Sequence, residues 1–213
     1  MILYFLRHAN AGEKKKDPKK DELRGLDATG VGQCYQAARL FSRLEVVPDL
    51  IISSPLKRAM QTAAMVANEI GYDDRLRVEK SLRPEAHWED FVQKLKSYKT
   101  DVVIVVGHSP NLSQFLGRMI SKAGSRAAVD LKKGGIARVE YDGRSGELQW
   151  LLTPKFIREA NAASAIEETA PIALPTSTFS FDPKIKKKEK PAKLKVGRGK
   201  RRLKDKQHVS RKK

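Results

Sequence analysis

The chain of 213 residues holds a single cysteine, Cys34, so an intramolecular disulfide is excluded. Cys34 falls inside a helical pattern running from Val31 to Leu40, where a thiol packs as a small apolar residue. No apolar run approaches the length of a membrane span. The first residues lead straight into a strand-like segment with no charged stretch before it, so they do not read as a secretory signal. The expected location is the cytoplasm. A Gly-Lys-Ser/Thr phosphate loop is missing, which argues against an NTPase. The chain has four histidines, and His87 and His208 stand apart from the other two, so neither a metal site nor a cofactor is expected. No internal repeat is visible.

Charge is abundant and unevenly placed. Residues 183–213 carry 16 Lys or Arg against Glu189 and Asp205, a net of +14 out of +18 for the whole chain. That stretch has no Phe, Trp or Tyr, and its few aliphatic residues are scattered among the charges, so it cannot bury enough surface to fold alone. A disordered basic tail is expected, binding polyanions such as nucleic acid or polyphosphate by counterion release, without base stacking. A solvating tail or an anionic membrane surface are the alternatives. Thr169 to Asp182, rich in Pro, Ser, Thr and Ala, reads as a linker. The organisation is then a domain over 1–155, a helix and linker over 156–182, and the tail over 183–213.

Within the first 155 residues, short apolar runs alternate with helical periods. Strands are expected at Ile2–Leu6, Leu50–Ile52, near Arg77-Val78, and at Val102–Val106, followed by Ala128–Leu131, Gly135–Tyr141 and Leu148–Leu152. Helices are expected from Asp27, a plausible N-cap, to Leu44, and then over Leu56–Ile70, Trp88–Tyr98 and Pro110–Lys122. Phe156 to Glu168 makes one more. Gly12 to Glu22 reads as a mixed-charge solvated loop near the mouth of the site, with docking of an acidic partner as a second reading. Strand and helix in alternation indicate a three-layer α/β/α sandwich with a mostly parallel central sheet and an antiparallel late edge. Trp88 and Trp150 are expected in the core.

Three strand ends carry cations. Arg7 and His8 follow the first run, Arg58 lies in the first helical turn after the second, and His108 follows the Val102–Val106 run. Open α/β sheets bind ligands at the carboxyl ends of their strands. Two guanidiniums and two imidazoles gathered there imply an anion, because unpaired buried cations are costly. Arginine forks match phosphate oxygens.

Leu6-Arg7-His8-Ala9, the run from Ser53 to Thr62, and Val106-Gly107-His108-Ser109-Pro110 resemble the signature blocks of the histidine phosphatase superfamily. The short first loop and Leu82-Arg83-Pro84-Glu85 are most similar to its SixA branch of phosphohistidine phosphatases. The resemblance covers about residues 1–155. It departs at Ala9, where the family usually has glycine, and this touches the geometry of the loop.

The resemblance implies a mechanism. His8 attacks phosphorus and forms a phosphohistidine intermediate, with a backbone carbonyl holding its other ring nitrogen. Arg7, Arg58 and His108 hold the phosphoryl oxygens. Arg24 matches an arginine that faces the phosphate pocket in SixA-like sequences. Glu85 is the best positional match for the acid that protonates the leaving group, with His87, Glu89 and Asp90 nearby. The function implied is hydrolysis of phosphohistidine on a phosphorylated protein. A small-molecule phosphomonoesterase and a non-catalytic polyanion-binding protein are the alternatives.

Overall fold

The computed structural model describes residues 1–122, 125 and 127–169, with side chains to 164. The expected linker beyond Thr169 and the basic tail lie outside the described residues.

Six strands form one sheet: β1 (Ile2–Arg7), β2 (Leu50–Ser53), β3 (Arg77–Val78), β4 (Val102–Gly107), β5 (Ile136–Tyr141) and β6 (Gly146–Leu152). Their order is β3-β2-β4-β1-β5-β6. The first four run parallel, while β5 and β6 form an antiparallel edge. The helices are α1 (Pro18–Glu22), α2 (Ala28–Arg43), α3 (Lys57–Glu69), α4 (Trp88–Ser97), α5 (Asn111–Met119) and α6 (Pro154–Thr169).

Both faces of the central strands are covered, which explains their continuous apolar composition. The two-residue pleat sends Leu3 and Phe5 of β1 to one face and Tyr4 and Leu6 to the other. The first face packs against Phe91 and Leu95 of α4 and Leu112, Phe115 and Leu116 of α5. The second packs against Ala37 and Phe41 of α2, Ala63 and Val66 of α3, and Ile157 of α6. Cys34 is buried on α2, and desolvation pushes its thiol up to about 11, which suits an inert packing role.

Local chemistry sets several boundaries. Asp27 caps α2 by accepting from the Gly30 N–H at 2.8 Å. A Cβ on Gly30 would lie 1.9 Å from the Asn10 carbonyl oxygen, so only glycine lets α2 approach the loop after β1 this closely. α6 fastens to α2 through Asn161, whose Nδ2 donates to the Gln36 carbonyl at 3.0 Å and to the Gln36 side chain at 2.6 Å.

Two expectations need correction. Ala128–Leu131 is not a strand. Its Leu131 N–H donates to Ser113 Oγ at 3.3 Å, and its Leu131 carbonyl accepts from Arg7 at 2.9 Å, so neither group is free for a ladder. The apolar signal there came from the burial of Leu131 beneath α5 and the sheet. Gly12 to Glu22 is not all loop, because α1 forms at its end. Asp17 caps it, accepting from the Lys19 N–H at 2.9 Å, and Pro18 fills the first turn.

Candidate active site

The sheet order brings the cationic residues together. β4 lies between β1 and β2, with Arg7 opposite Gly107 and Ser53 opposite Val106. Backbone bonds carry the pairing past the strand ends: the His8 N–H donates to the Gly107 carbonyl and the Ser54 N–H to the Val106 carbonyl, both at 2.9 Å. The side chains after three neighbouring strands are thereby held at one edge. Arg58 joins them from the first turn of α3, whose N-terminus follows β2 directly.

His8 is buried, and its Nδ1 lies 2.8 Å from the Ala9 carbonyl. A carbonyl only accepts, so Nδ1 carries the proton and Nε2 presents its lone pair. Arg58 Nε–H points at that Nε2 from 3.3 Å. Burial holds His8 down to about 3; the Ala9 carbonyl works against this, while Arg58, Arg7 and Lys133 add to it. His8 is therefore neutral at ordinary pH, the form that can attack phosphorus. Ala9 is buried, its N–H donates to Thr62 Oγ1 at 3.1 Å, and it is not among the positive-φ residues. The family's glycine is thus replaced here without backbone strain. Nearby Gly134, at φ 73°, donates its N–H to the Arg7 carbonyl at 3.1 Å and closes the loop behind the site.

His108 stands beside His8 with ring centroids 4.9 Å apart. Its Nε2 meets Ser54 Oγ at 2.8 Å, and its Nδ1 is buried without a hydrogen-bond partner. Burial lowers it to about 2, with His8, Arg58, Arg7 and Arg24 acting in the same direction. Arg7 donates from Nη1 to Leu131, and its Nε is likewise buried and unpartnered. Arg58 is buried and donates from Nη1 to the Asp21 carbonyl at 3.1 Å. Desolvation lowers both arginines, Arg7 against the raising pull of Asp130, and Arg58 with Arg24 adding to the lowering.

Arg24 belongs to the same cluster. Its Nε–H donates to Asp21 Oδ1 at 2.9 Å and its Nη1 to the Gly12 carbonyl at 2.8 Å. Arg7, His8, Arg24, Arg58 and His108 all line one cleft of about 1010 Å³. Glu85 lines its outer wall, with a side chain 65% exposed and paired to Arg83. Arg83 holds the Glu85 carboxyl below the usual carboxylate range. Arg83 also pairs with Glu22. His87 is the residue before α4, and Glu89 pairs with Arg118 at 3.2 Å. The first turn of α5 supplies few free amides: Leu112 donates to the His108 carbonyl at 2.7 Å and Gln114 to the Pro110 carbonyl at 2.9 Å.

Sequence reasoning missed four contributors. Asp21 was hidden within a lysine-rich stretch, and nothing local marks it as reaching Arg58. Ser54 lies inside a quoted block, but its contact with His108 is set by strand order. Lys133 lies on the rim, donating to Asn10 at 3.1 Å. Arg83 links Glu22 to Glu85 across the mouth. Among the described residues, no group of three His, Cys, Asp or Glu is arranged to hold a metal ion.

The family profile of the histidine phosphatase superfamily (branch 1) matches residues 3–97, the stretch that holds Arg7, His8 and Arg58. An uncharacterized protein of Picosynechococcus is 29% identical over 168 residues, covering 74% of this chain and 99% of that one. Among solved structures, the protein histidine phosphatase SixA complexed with tungstate superposes with a TM-score of 0.66 at 20% identity, covering 73% of this chain and 98% of that chain. A putative alpha-ribazole-5'-P phosphatase of Escherichia coli superposes with a TM-score of 0.55 at 18% identity, covering 72% and 98%. Residues 3–97 thus match the histidine phosphatase superfamily, branch 1, and the chain shares the fold of solved phosphatases such as SixA.

Proposed function

We propose that the protein hydrolyses phosphohistidine on a phosphorylated protein, in the manner of the SixA branch, through a phosphohistidine intermediate on His8. The observation that carries this reading is the neutral, Nδ1-anchored His8 with its lone pair beside Arg58. His8 Nε2 attacks phosphorus while the leaving nitrogen departs. Water then attacks the His8 phosphoryl group and releases inorganic phosphate. Arg7, Arg58 and Arg24 present fixed charge to the oxygens on which negative charge gathers. The arriving phosphate favours a protonated His108, which then donates to it.

Two features favour a protein substrate. The cleft is broad and bordered by the exposed Lys14, Lys15 and Lys16, and a histidine side chain carried on a folded partner can reach into it. A histidine leaving group also makes small demands on an acid, which fits an exposed Glu85 held ionised by Arg83. SixA itself was seen with tungstate, a tetrahedral oxyanion of phosphate-like shape. The reading carries a cytoplasmic location and a basic tail that binds polyanions without sequence preference. Turnover of a phosphohistidine protein against a panel of small phosphomonoesters tests it. Hydrolysis of the small esters with the phosphohistidine protein left intact would assign a small-molecule phosphatase. Loss of all turnover with phosphate still bound would assign a docking protein.

A further inference from the structure

The segment between β1 and α2 leaves the cleft and returns to it. Its neck is closed by the bridge between Ala11 and Leu26, with Gly12 N–H donating to the Gly25 carbonyl at 3.4 Å. α1, at the far end, buries no residue, so apolar packing does not hold it down. Charge does. Asp21 Oδ1 accepts from Arg24 Nε at 2.9 Å, and Asp21 Oδ2 lies 3.5 Å from Arg58 Nη1. The Asp21 carbonyl also accepts from Arg58 Nη1, and Glu22 pairs with Arg83 on the opposite wall.

Thus one carboxylate accepts a hydrogen bond from Arg24 and lies in ion-pair range of Arg58, two of the arginines assigned to the phosphoryl group. A carboxylate and a phosphoryl group offer a guanidinium fork the same pair of oxygens. A donor engaged by one is lost to the other. Arg58 is buried, and a buried cation left without a counter-charge is costly, so the free protein gains from the contact. Both partners record it: Asp21 is held below the usual carboxylate range first by its hydrogen bond to Arg24, and Asp21 offsets part of the lowering that burial imposes on Arg58.

We infer that Asp21 is an internal competitor for the phosphate pocket, occupying Arg24 and Arg58 in the free enzyme and giving them up when a phosphoryl group binds. This rests on the proposed function only in taking the pocket to receive a phosphoryl group. Asp21 then acts through the arginines and sets how tightly an oxyanion must bind to enter. The Lys14–Lys20 stretch, tethered at this end by Asp21 and Glu22, is released in part when the exchange occurs.

The test compares the full chain with Asp21→Asn, titrated calorimetrically with tungstate and assayed for turnover. Asparagine keeps the side-chain shape and the backbone carbonyl contact but removes the charge. The variant is expected to bind tungstate about tenfold more tightly, the scale of one lost charge-assisted hydrogen bond, with KM falling by a similar factor. Without tungstate it should melt at a lower temperature than the parent, because Arg58 has lost its counter-charge. Unchanged or weaker tungstate binding overturns the inference and makes Asp21 a positioning residue for the arginines. A fall in kcat with unchanged tungstate affinity also overturns it, and places the carboxylate in the chemistry. If neither protein binds tungstate, the phosphate reading itself falls. Trypsin provides a check on the unmodified chain: tungstate should speed cleavage within Lys14–Lys20, and protection there counts against the exchange.

Discussion

Arg58 Nε–H points at His8 Nε2 across 3.3 Å, a donor aimed at the lone pair that is to attack phosphorus. The same nitrogen cannot be protonated and nucleophilic, so the contact is compatible only with neutral His8. It also keeps a positive charge next to the site of the new bond before any substrate arrives.

His8→Ala is expected to remove turnover almost completely, because no other side chain replaces the nucleophile. Rapid quenching with labelled substrate should trap an acid-labile phosphoryl group on the parent enzyme and none on the variant. Label retained by the variant moves the nucleophile elsewhere.

Arg58→Ala and His108→Ala should each slow the chemical step by about 10²–10³, the scale for one charge-stabilising donor. Single-turnover kinetics separate this step from binding. Full activity in either variant would show that three strand ends do not share one phosphate.

Glu85→Gln should leave phosphohistidine hydrolysis within about threefold, while oxygen-ester hydrolysis falls by about tenfold or more, since a general acid is worth roughly 10²–10⁴-fold where a leaving oxygen needs a proton. The reasoning is that Arg83 keeps the Glu85 carboxyl ionised and that its side chain is largely in water. Equal losses on both substrates would make it the proton donor regardless of leaving group.

The two buried imidazoles give the fold an acid sensitivity. His8 at about 3 and His108 at about 2 both lie below the 6.5 of an unfolded histidine. Between those values the unfolded chain binds more protons than the folded one, so stability is full above about pH 6.5 and is lost progressively as pH falls toward the folded values. Thermal unfolding should show a falling Tm from about pH 7 down to about pH 4, over the same window. Tungstate should blunt the fall, because a bound dianion favours protonated His108. A flat profile would mean that the imidazoles are not buried neutral.

Truncation after Thr169 should leave hydrolysis of small phosphorylated substrates unchanged and abolish binding to polyphosphate or nucleic acid. Binding by the full chain should weaken steeply with salt, since released counterions drive it. Filter binding across a salt series distinguishes this from recognition by the folded part.

Much was legible from the chain alone because it is written in local chemistry. The β-branched runs of β2 and β4, the Asp27 cap and the periodicity of Phe91 and Leu95 act within a few residues. So do Arg7-His8 and Gly107-His108, which are carried to a strand end by the strand itself. The tertiary structure decided the rest. Placing β4 between β1 and β2 put Ser54 on His108 and Arg58 on His8, contacts that span 54 and 50 residues. It turned Ala128–Leu131 from a plausible strand into a coil, because Arg7 and Ser113 took its backbone groups. It set Asp21, one acidic residue among many in a charged stretch, against two site arginines. The protonation of His8 and His108 belongs here too. An imidazole's charge depends on everything that displaces water around it, and that sum exists only once the helices and strands have closed over the site.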